Sequence, residues 1–262
     1  MSKLISYSLF DAPCEQFEKK AYIRGFYWNA RMNNLLYPDW RTHLEVSTDV
    51  YKEFENLFEW LVSNNNLSLV VNPHPTGVPL CEGMLWRMKP IWTIDVSHVL
   101  CRDADAITTY KEAQYIQDWL ETGLPICSIH DNPAHSGLMG GMIGIDTAAF
   151  KAHTGIQSFG HLIANRDLSQ RGSDQHLLNG EILQRLTTSP PSINTYPNDF
   201  SGSKTLPQVD PKLWESNLCS FFIGSAGVNE LETLRFFKRF DLYNWKFQEI
   251  EKNYSNLFYW HA

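Results

Sequence analysis

The stretch from His98 to Gln114, "HVLCRDADAITTYKEAQ", decides how this chain is read. An apolar run through Val99, Leu100 and Cys101 ends abruptly in Arg102-Asp103-Ala104-Asp105, and a polar helix begins almost at once. Two acids one residue apart repel each other, and the end of a buried strand is a costly place to keep them. A strand that stops in such a turn and passes into a helix is half of a strand-helix-strand unit. In open sheets built from those units, ligands bind beyond the carboxyl ends of the strands. The pair calls for a positive partner, and a hard divalent cation that grips a diphosphate suits two carboxylates in a turn. The plainer alternative is an Asx turn with a helix N-cap. In a chain with this many aspartates a lone Asp-x-Asp arises easily by chance, and it is the place between strand and helix that raises the functional reading.

Upstream the same alternation continues. "KLISYSLF" reads as a first strand, followed by an aromatic-rich helix from about residue 15 to 36 that stops before Pro38. "THLEVS" reads as a second strand. Thr48 or Asp49 then caps a helix, "VYKEFENLFEWLVSN", in which Val50, Phe54, Leu57, Phe58 and Leu61 form one apolar face. "LSLVVNP" gives a third strand, "IWTIDV" a fourth and "PICSIHD" a fifth. Between the last two, Thr108 or Thr109 caps "YKEAQYIQDWLETG", with Glu112 placed for a capping box and Gly123 as the stop. Strands alternating with helices predict an α/β sheet with parallel crossovers. Past residue 136 the texture changes to a glycine-rich run, "SGLMGGMIGID", a loop rich in proline and serine, and a helical aromatic tail from Asn229 onward. The expectation is a single α/β domain with an irregular C-terminal half.

Composition narrows the function. The 262 residues are 43% hydrophobic and include nine tryptophans, which builds a packed core and not a disordered tail. A formal net charge of -7 argues against docking on a phosphate backbone, so nucleic acid is not the expected partner. Solubility alone accounts for the acidity. Cys14, Cys81, Cys101, Cys127 and Cys219 are scattered and never paired as CxxC, as in a reducing compartment. There is no apolar run long enough to span a membrane and no charged-then-apolar leader, so the expected location is cytoplasmic.

Three further segments carry chemistry. In "IHDNPAHSGLMGGMIGI", His130, Asp131 and His135 are candidate ligands, but Asn-Pro between them breaks any helix and no third ligand follows at fixed spacing. A turn with satisfied polar groups is the plainer reading there, ahead of zinc. Gly140, Gly141 and Gly144 do not make the dinucleotide fingerprint; they either allow a close backbone approach or permit positive φ. In "RGSDQHLLNGEI", Ser173 is a candidate cap, Leu177, Leu178, Ile182 and Leu186 point inward, and Asp174 and Gln175 sit in the first turn. An ordinary N-terminal acid on a helix is the plain alternative for Asp174. Arg87 pairs either with a phosphate or with solvent beside Trp86. Neither G-x-S-x-G nor a phosphate-cradling G-x-x-x-x-G-K-[ST] loop is present.

In this order, "YSLF", "LWRMKPI", "CRDADAITTYKEAQYIQDWLETG", "IHDNPAHSGLMGGMIGI", "SDQHLLN" and "FFIGSAGVNELETLRFFKRFD" resemble the small nucleotide-sugar-dependent glycosyltransferases of the GT-A fold. The resemblance runs over about residues 3 to 240. It implies a Rossmann-like fold with a mostly parallel central sheet, a nucleotide-binding half over about residues 1–106 and an acceptor-side half over about 107–262. It also implies a nucleotide-sugar donor, a UDP-sugar by analogy, and a carbohydrate or glycoconjugate acceptor. By the same resemblance Asp103 and Asp105 would hold Mn²⁺ or Mg²⁺. Leu9, Phe10, Asp11, Arg87, Arg102, Asp103, Gly140 and Gly141 would line the donor, and His135 the sugar and acceptor side. "DQHLLN" is similar to the Asp-Gln-x-x-Leu-Asn signature of glycogenin-like retaining enzymes, which would make Asp174 and Gln175 catalytic candidates and favours retention; an inverting route would instead take Asp131 or Asp174 as the general base on the acceptor hydroxyl. Where that family has a metal-binding histidine, in a His-x-x-Gly stretch, this chain has Phe221 in "FFIG", which leaves the third ligand open; His261 would be a substitute. Two other classes stay open. One is a metal-dependent phosphoesterase using Asp103, Asp105, His130, Asp131 and His135, and the other is a non-catalytic sugar-binding protein of the same fold. Acceptor selection is expected in residues 187–212.

Overall fold

The computed structural model describes residues 1–11, 19–73, 79–129, 137–187, 193–196, 204–205, 230–239 and 241–258. Among these residues eight strands form one sheet. In chain order they are β1 (Ser2–Leu9), β2 (Arg41–Ser47), β3 (Leu67–Asn72), β4 (Val96–Arg102), β5 (Ile126–Ile129), β6 (Met142–Asp146), β7 (Ile193–Tyr196) and β8 (Lys204–Thr205). Across the sheet the order is β3-β2-β1-β4-β6-β5-β7-β8. Every neighbouring pair is parallel except the two made by β6, which runs against β4 and β5. The expected fold class, a single α/β domain with a mostly parallel Rossmann-like sheet, is therefore the observed one.

Both faces of the sheet are covered, as parallel strands require. Along β1, Ile5, Tyr7 and Leu9 enter one core and Leu4 the other, so the pleat sorts alternate residues between two layers. The first layer holds α1 (Lys19–Leu36), α3 (Glu55–Asn64), α5 (Tyr110–Thr122), α10 (Glu230–Arg239) and α11 (Trp245–Asn253). The second holds α4 (Leu80–Leu85), a 3₁₀ stretch over Trp86–Trp92, α6 (Thr147–Thr154), α7 (Phe159–Ile163) and a helical run from Ser173 to Thr187. That run is α8 (Ser173–Leu177), a π-helical turn over Leu178–Ile182, and α9 (Leu183–Thr187).

Local signals placed several boundaries. Thr109 caps α5 by accepting the Glu112 N–H at 3.3 Å, and Gly123 ends it in the left-handed region at φ 67°. Elsewhere tertiary packing prevailed. The helix expected through residues 50–64 is split into α2 (Thr48–Glu53) and α3 at Phe54, whose ring turns into the core and whose φ and ψ of -121° and 25° leave the helical region. Ser47 stands at the N-cap of α2, in place of Thr48 or Asp49. Gly172, not Ser173, is the N-cap residue of α8. The expected fourth strand, "IWTIDV", is displaced. Pro90 and its neighbours form the 3₁₀ stretch, and the strand runs instead through "VSHVLCR", with His98 wedged edge-on against Trp40 and Trp119.

Candidate functional site

The sheet order reverses between β1 and β4: β2 and β3 extend the sheet on one side of β1, and β4 lies on the other. The crevice beyond the carboxyl ends of β1 and β4 is therefore the topological switch point, the place where open α/β sheets take ligands. The turn Asp103-Ala104-Asp105 lies there, immediately after β4.

Its shape is imposed by α1. The Asn29 side chain, fully buried, donates to the carbonyls of Ala104 and Ala106 at 3.0 Å each and accepts from the Thr108 N–H at 2.8 Å. Gly25, one turn earlier, has no Cβ because one there would overlap the Ala104 carbonyl oxygen. The turn's backbone polar groups are thus satisfied by a helix that packs directly on it. Sequence reasoning passed over Asn29. The available signal was an amide in the midst of an apolar helix, which when buried must find partners.

The acids themselves differ. Asp103 accepts a hydrogen bond from Arg87 Nη1 of the 3₁₀ stretch, and its carboxylate is backed by Gly141, where a Cβ would overlap it. A Cβ on Gly140 would stand 2.7 Å from Arg87 Nη2. The adjacent glycines therefore make room for the Arg87–Asp103 pair: of the two roles open to them, close approach is the one found. Burial first, and the charge of Asp103 second, push the Asp105 carboxyl up to about 6, against the opposing pull of Arg87 and Arg102. Tyr22 of α1 shares this field. Burial and the charges of Asp105 and Asp103 raise its phenol to about 12, with Arg87 and Arg171 acting the other way. Asp174 is buried, accepts from the Cys81 thiol at 3.4 Å and lies close enough to Arg87 to help hold its charge.

Other expected site residues lie elsewhere. Arg102 is not brought to the crevice. It points to the opposite face of the sheet, paired with Glu112 of α5 at 2.9 Å and donating to the Gly141 carbonyl at 2.8 Å. Leu9 and Phe10 turn inward, Leu9 into the core and Phe10 edge-on against Trp86 at 6.0 Å. Only Asp11 of that trio is exposed, in an ion pair with Lys19 at 3.2 Å. The Gln175 amide is engaged by main chain. In the orientation that satisfies its neighbours, its nitrogen donates to the Leu138 carbonyl at 2.7 Å and its oxygen accepts from the Gly140 N–H at 3.1 Å. His130, Asp131, His135, Phe221 and His261, and most of the segment 187–212, fall outside the described residues. Among the described residues, no three or more His, Cys, Asp or Glu side chains gather as a metal site. None of the helices among them is long and apolar enough to cross a membrane.

No family model and no curated sequence matches the chain. Among solved structures it is similar to 4-diphosphocytidyl-2C-methyl-D-erythritol synthase from Anaerococcus prevotii, at 10% sequence identity and a TM-score of 0.44, over 79% of this chain and 92% of that one. A likeness of that degree says nothing of chemistry, which rests on the side chains in the crevice.

Proposed function

We propose that the chain is a metal-dependent glycosyltransferase that moves a sugar from a nucleotide-sugar donor, a UDP-sugar, to a carbohydrate or glycoconjugate acceptor. The observation that carries this reading is the pair Asp103 and Asp105 at the switch point of the sheet, with the Arg87 guanidinium beside them. The donor set fits a hard cation. Asp105 sits where its own ionisation is opposed by burial and by Asp103, a conflict that a divalent ion removes. Mg²⁺ is commonly held by one or two carboxylates with water and substrate phosphates completing its shell, so a third protein ligand is not required. When bound, Mn²⁺ or Mg²⁺ supplies Lewis-acid help to the departing diphosphate.

The chain's own residues supply the rest. Arg87, already oriented by Asp103, adds a fixed positive charge where the diphosphate lies. Tyr22, protonated across the physiological range, acts as a hydrogen-bond donor at the rim. Asp174, near enough to Arg87 to act on its charge, is one candidate acid for the sugar side, and Asp131, outside the described residues, is the second.

The test is calorimetric titration of a panel of nucleoside diphosphates, with and without Mn²⁺, on the wild type and Asp105→Asn. Base-selective binding that needs Mn²⁺ and is lost in the variant is the expected result. No binding under any condition sinks the reading, and hydrolysis of simple phosphoesters without an acceptor would put the phosphoesterase ahead.

A further inference from the structure

The Asp-Gln-x-x-Leu-Asn segment does something in this fold that its sequence does not announce. Asn179, at the start of the π-helical turn, clamps Leu138 from both sides: its oxygen accepts the Leu138 N–H at 2.6 Å and its nitrogen donates to the Leu138 carbonyl at 3.2 Å. The same nitrogen is tied back to the Gln175 carbonyl at 2.9 Å. Gln175 adds a second point of attachment, to the Leu138 carbonyl and the Gly140 N–H. Gly137, at φ 67°, leaves the space that the Asn179 amide fills. Residues 137–140 precede β6, and among the described residues no strand pairs with them to fix their height. Two side chains of one helix do it instead, and the widened π turn begins at the clamp.

The clamped backbone leads directly to the acids. Gly140 lies against Arg87 Nη2, and Gly141 lies against the Asp103 carboxylate while its carbonyl is held by Arg102. There is no slack on either side of that contact: a shift of the loop toward Asp103 forces the carboxylate away, and a shift outward removes its backing. We infer that Gln175 and Asn179 are positioning residues for Asp103, acting through the main chain of residues 138–141, and that Gln175 does not touch the sugar. The consequence for catalysis rests on the proposed role of Asp103 toward a cation and a diphosphate. Partners that orient a metal-binding group typically matter by about 10- to 100-fold in affinity or activity when removed.

The experiment reads position and function separately. Aspartate labelled with ¹³C at the side-chain carboxyl gives a resonance for Asp103, assigned with Asp103→Asn, and one for Asp146 as a distant control. In Asn179→Leu and Gln175→Leu the Asp103 resonance is expected to move and that of Asp146 to stay. An unmoved Asp103 resonance in a folded variant overturns the inference. Should Asn179→Leu not fold, Asn179→Asp, which keeps the acceptor for the Leu138 N–H and removes the donor, is read in the same way. Mn²⁺-dependent affinity is then measured on Gln175→Leu for UDP and for a UDP-sugar. A positioning role weakens both equally, by about 10- to 100-fold, whereas a loss confined to the UDP-sugar means that Gln175 contacts the sugar and overturns the inference. If the wild type binds neither nucleotide, the proposed function falls while the carboxyl resonance still decides the positioning role.

Discussion

Residues 102 and 103 are neighbours, and each belongs to an arginine–carboxylate pair, yet the two pairs have opposite characters. The strand pleat sends Arg102 to one face of the sheet, where it meets Glu112 with side chains 2% and 1% exposed. Asp103 goes to the other face and meets Arg87, with the arginine 7% exposed and the acid 43%. Burial works against the charge of both arginines, and in each case the acids around it keep the guanidinium above its ordinary range. The difference lies in the carboxylate. A pair sealed at both ends offers no free coordination to a ligand; it holds β4 to α5 and, through Arg102, the Gly141 carbonyl. A pair open at its acid end leaves coordination free for something from solvent. One residue of separation at the end of β4 is thus enough to divide a sealed charge from an open one.

The sharpest way to break the comparison is to remove one partner of the sealed pair. Glu112→Ala leaves Arg102 as an uncompensated buried charge and should cost about 3–5 kcal/mol in urea unfolding, while Arg102→Met/Glu112→Leu together should recover most of it. Next comes the turn beneath the open pair. Gly25→Ala drives a methyl into the Ala104 carbonyl and should cost about 3 kcal/mol, with α1 pushed off the turn. Asp105→Asn should do the reverse. The folded carboxyl titrates near 6, above the ordinary aspartate range, so the protonated form is favoured by folding and stability falls as pH rises through that interval. The variant, neutral throughout, should gain about 2 kcal/mol near pH 8 and nothing near pH 3, as read from paired denaturant curves. The smallest effect belongs to Asp103→Asn: its acid end is already wet, so the loss should stay under about 1 kcal/mol. A cost equal to that of Glu112→Ala would abolish the distinction between the pairs.

Much of this was legible in the sequence wherever the determinants are local. The short apolar run of "KLISYSLF", the Thr109 cap and the Gly123 stop need only a few consecutive residues to act. The position of Asp103 and Asp105 followed from strand-to-helix order. What escaped depends on distant partners. "IWTIDV" has the β-branched and aromatic content of a strand, but Ile91 and Trp92 close the 3₁₀ stretch that contains Pro90, with Trp92 packed edge-on against Phe150 and Phe159, residues 93–95 turn, and only Val96 enters β4. The resemblance puts Arg102 at the donor, whereas the alternation of strand residues places it on the face of Leu100, where it meets Glu112. The service of Gln175 and Asn179 to residues 138 and 140 could not be read, since nothing in a helix announces which backbone its amides will find.

The contacts of Asn29 bear on the order of events during synthesis. The turn it shapes lies 75 to 79 positions later in the chain. Domains generally fold as units. The turn therefore takes its shape only when α1 and residues 104–108 are brought together across that separation. The opposite wall adds a second long span, from Leu138 to Asn179. Both walls of the acid pair thus depend on the completed domain, and a nascent chain that ends short of Asn179 lacks one of them.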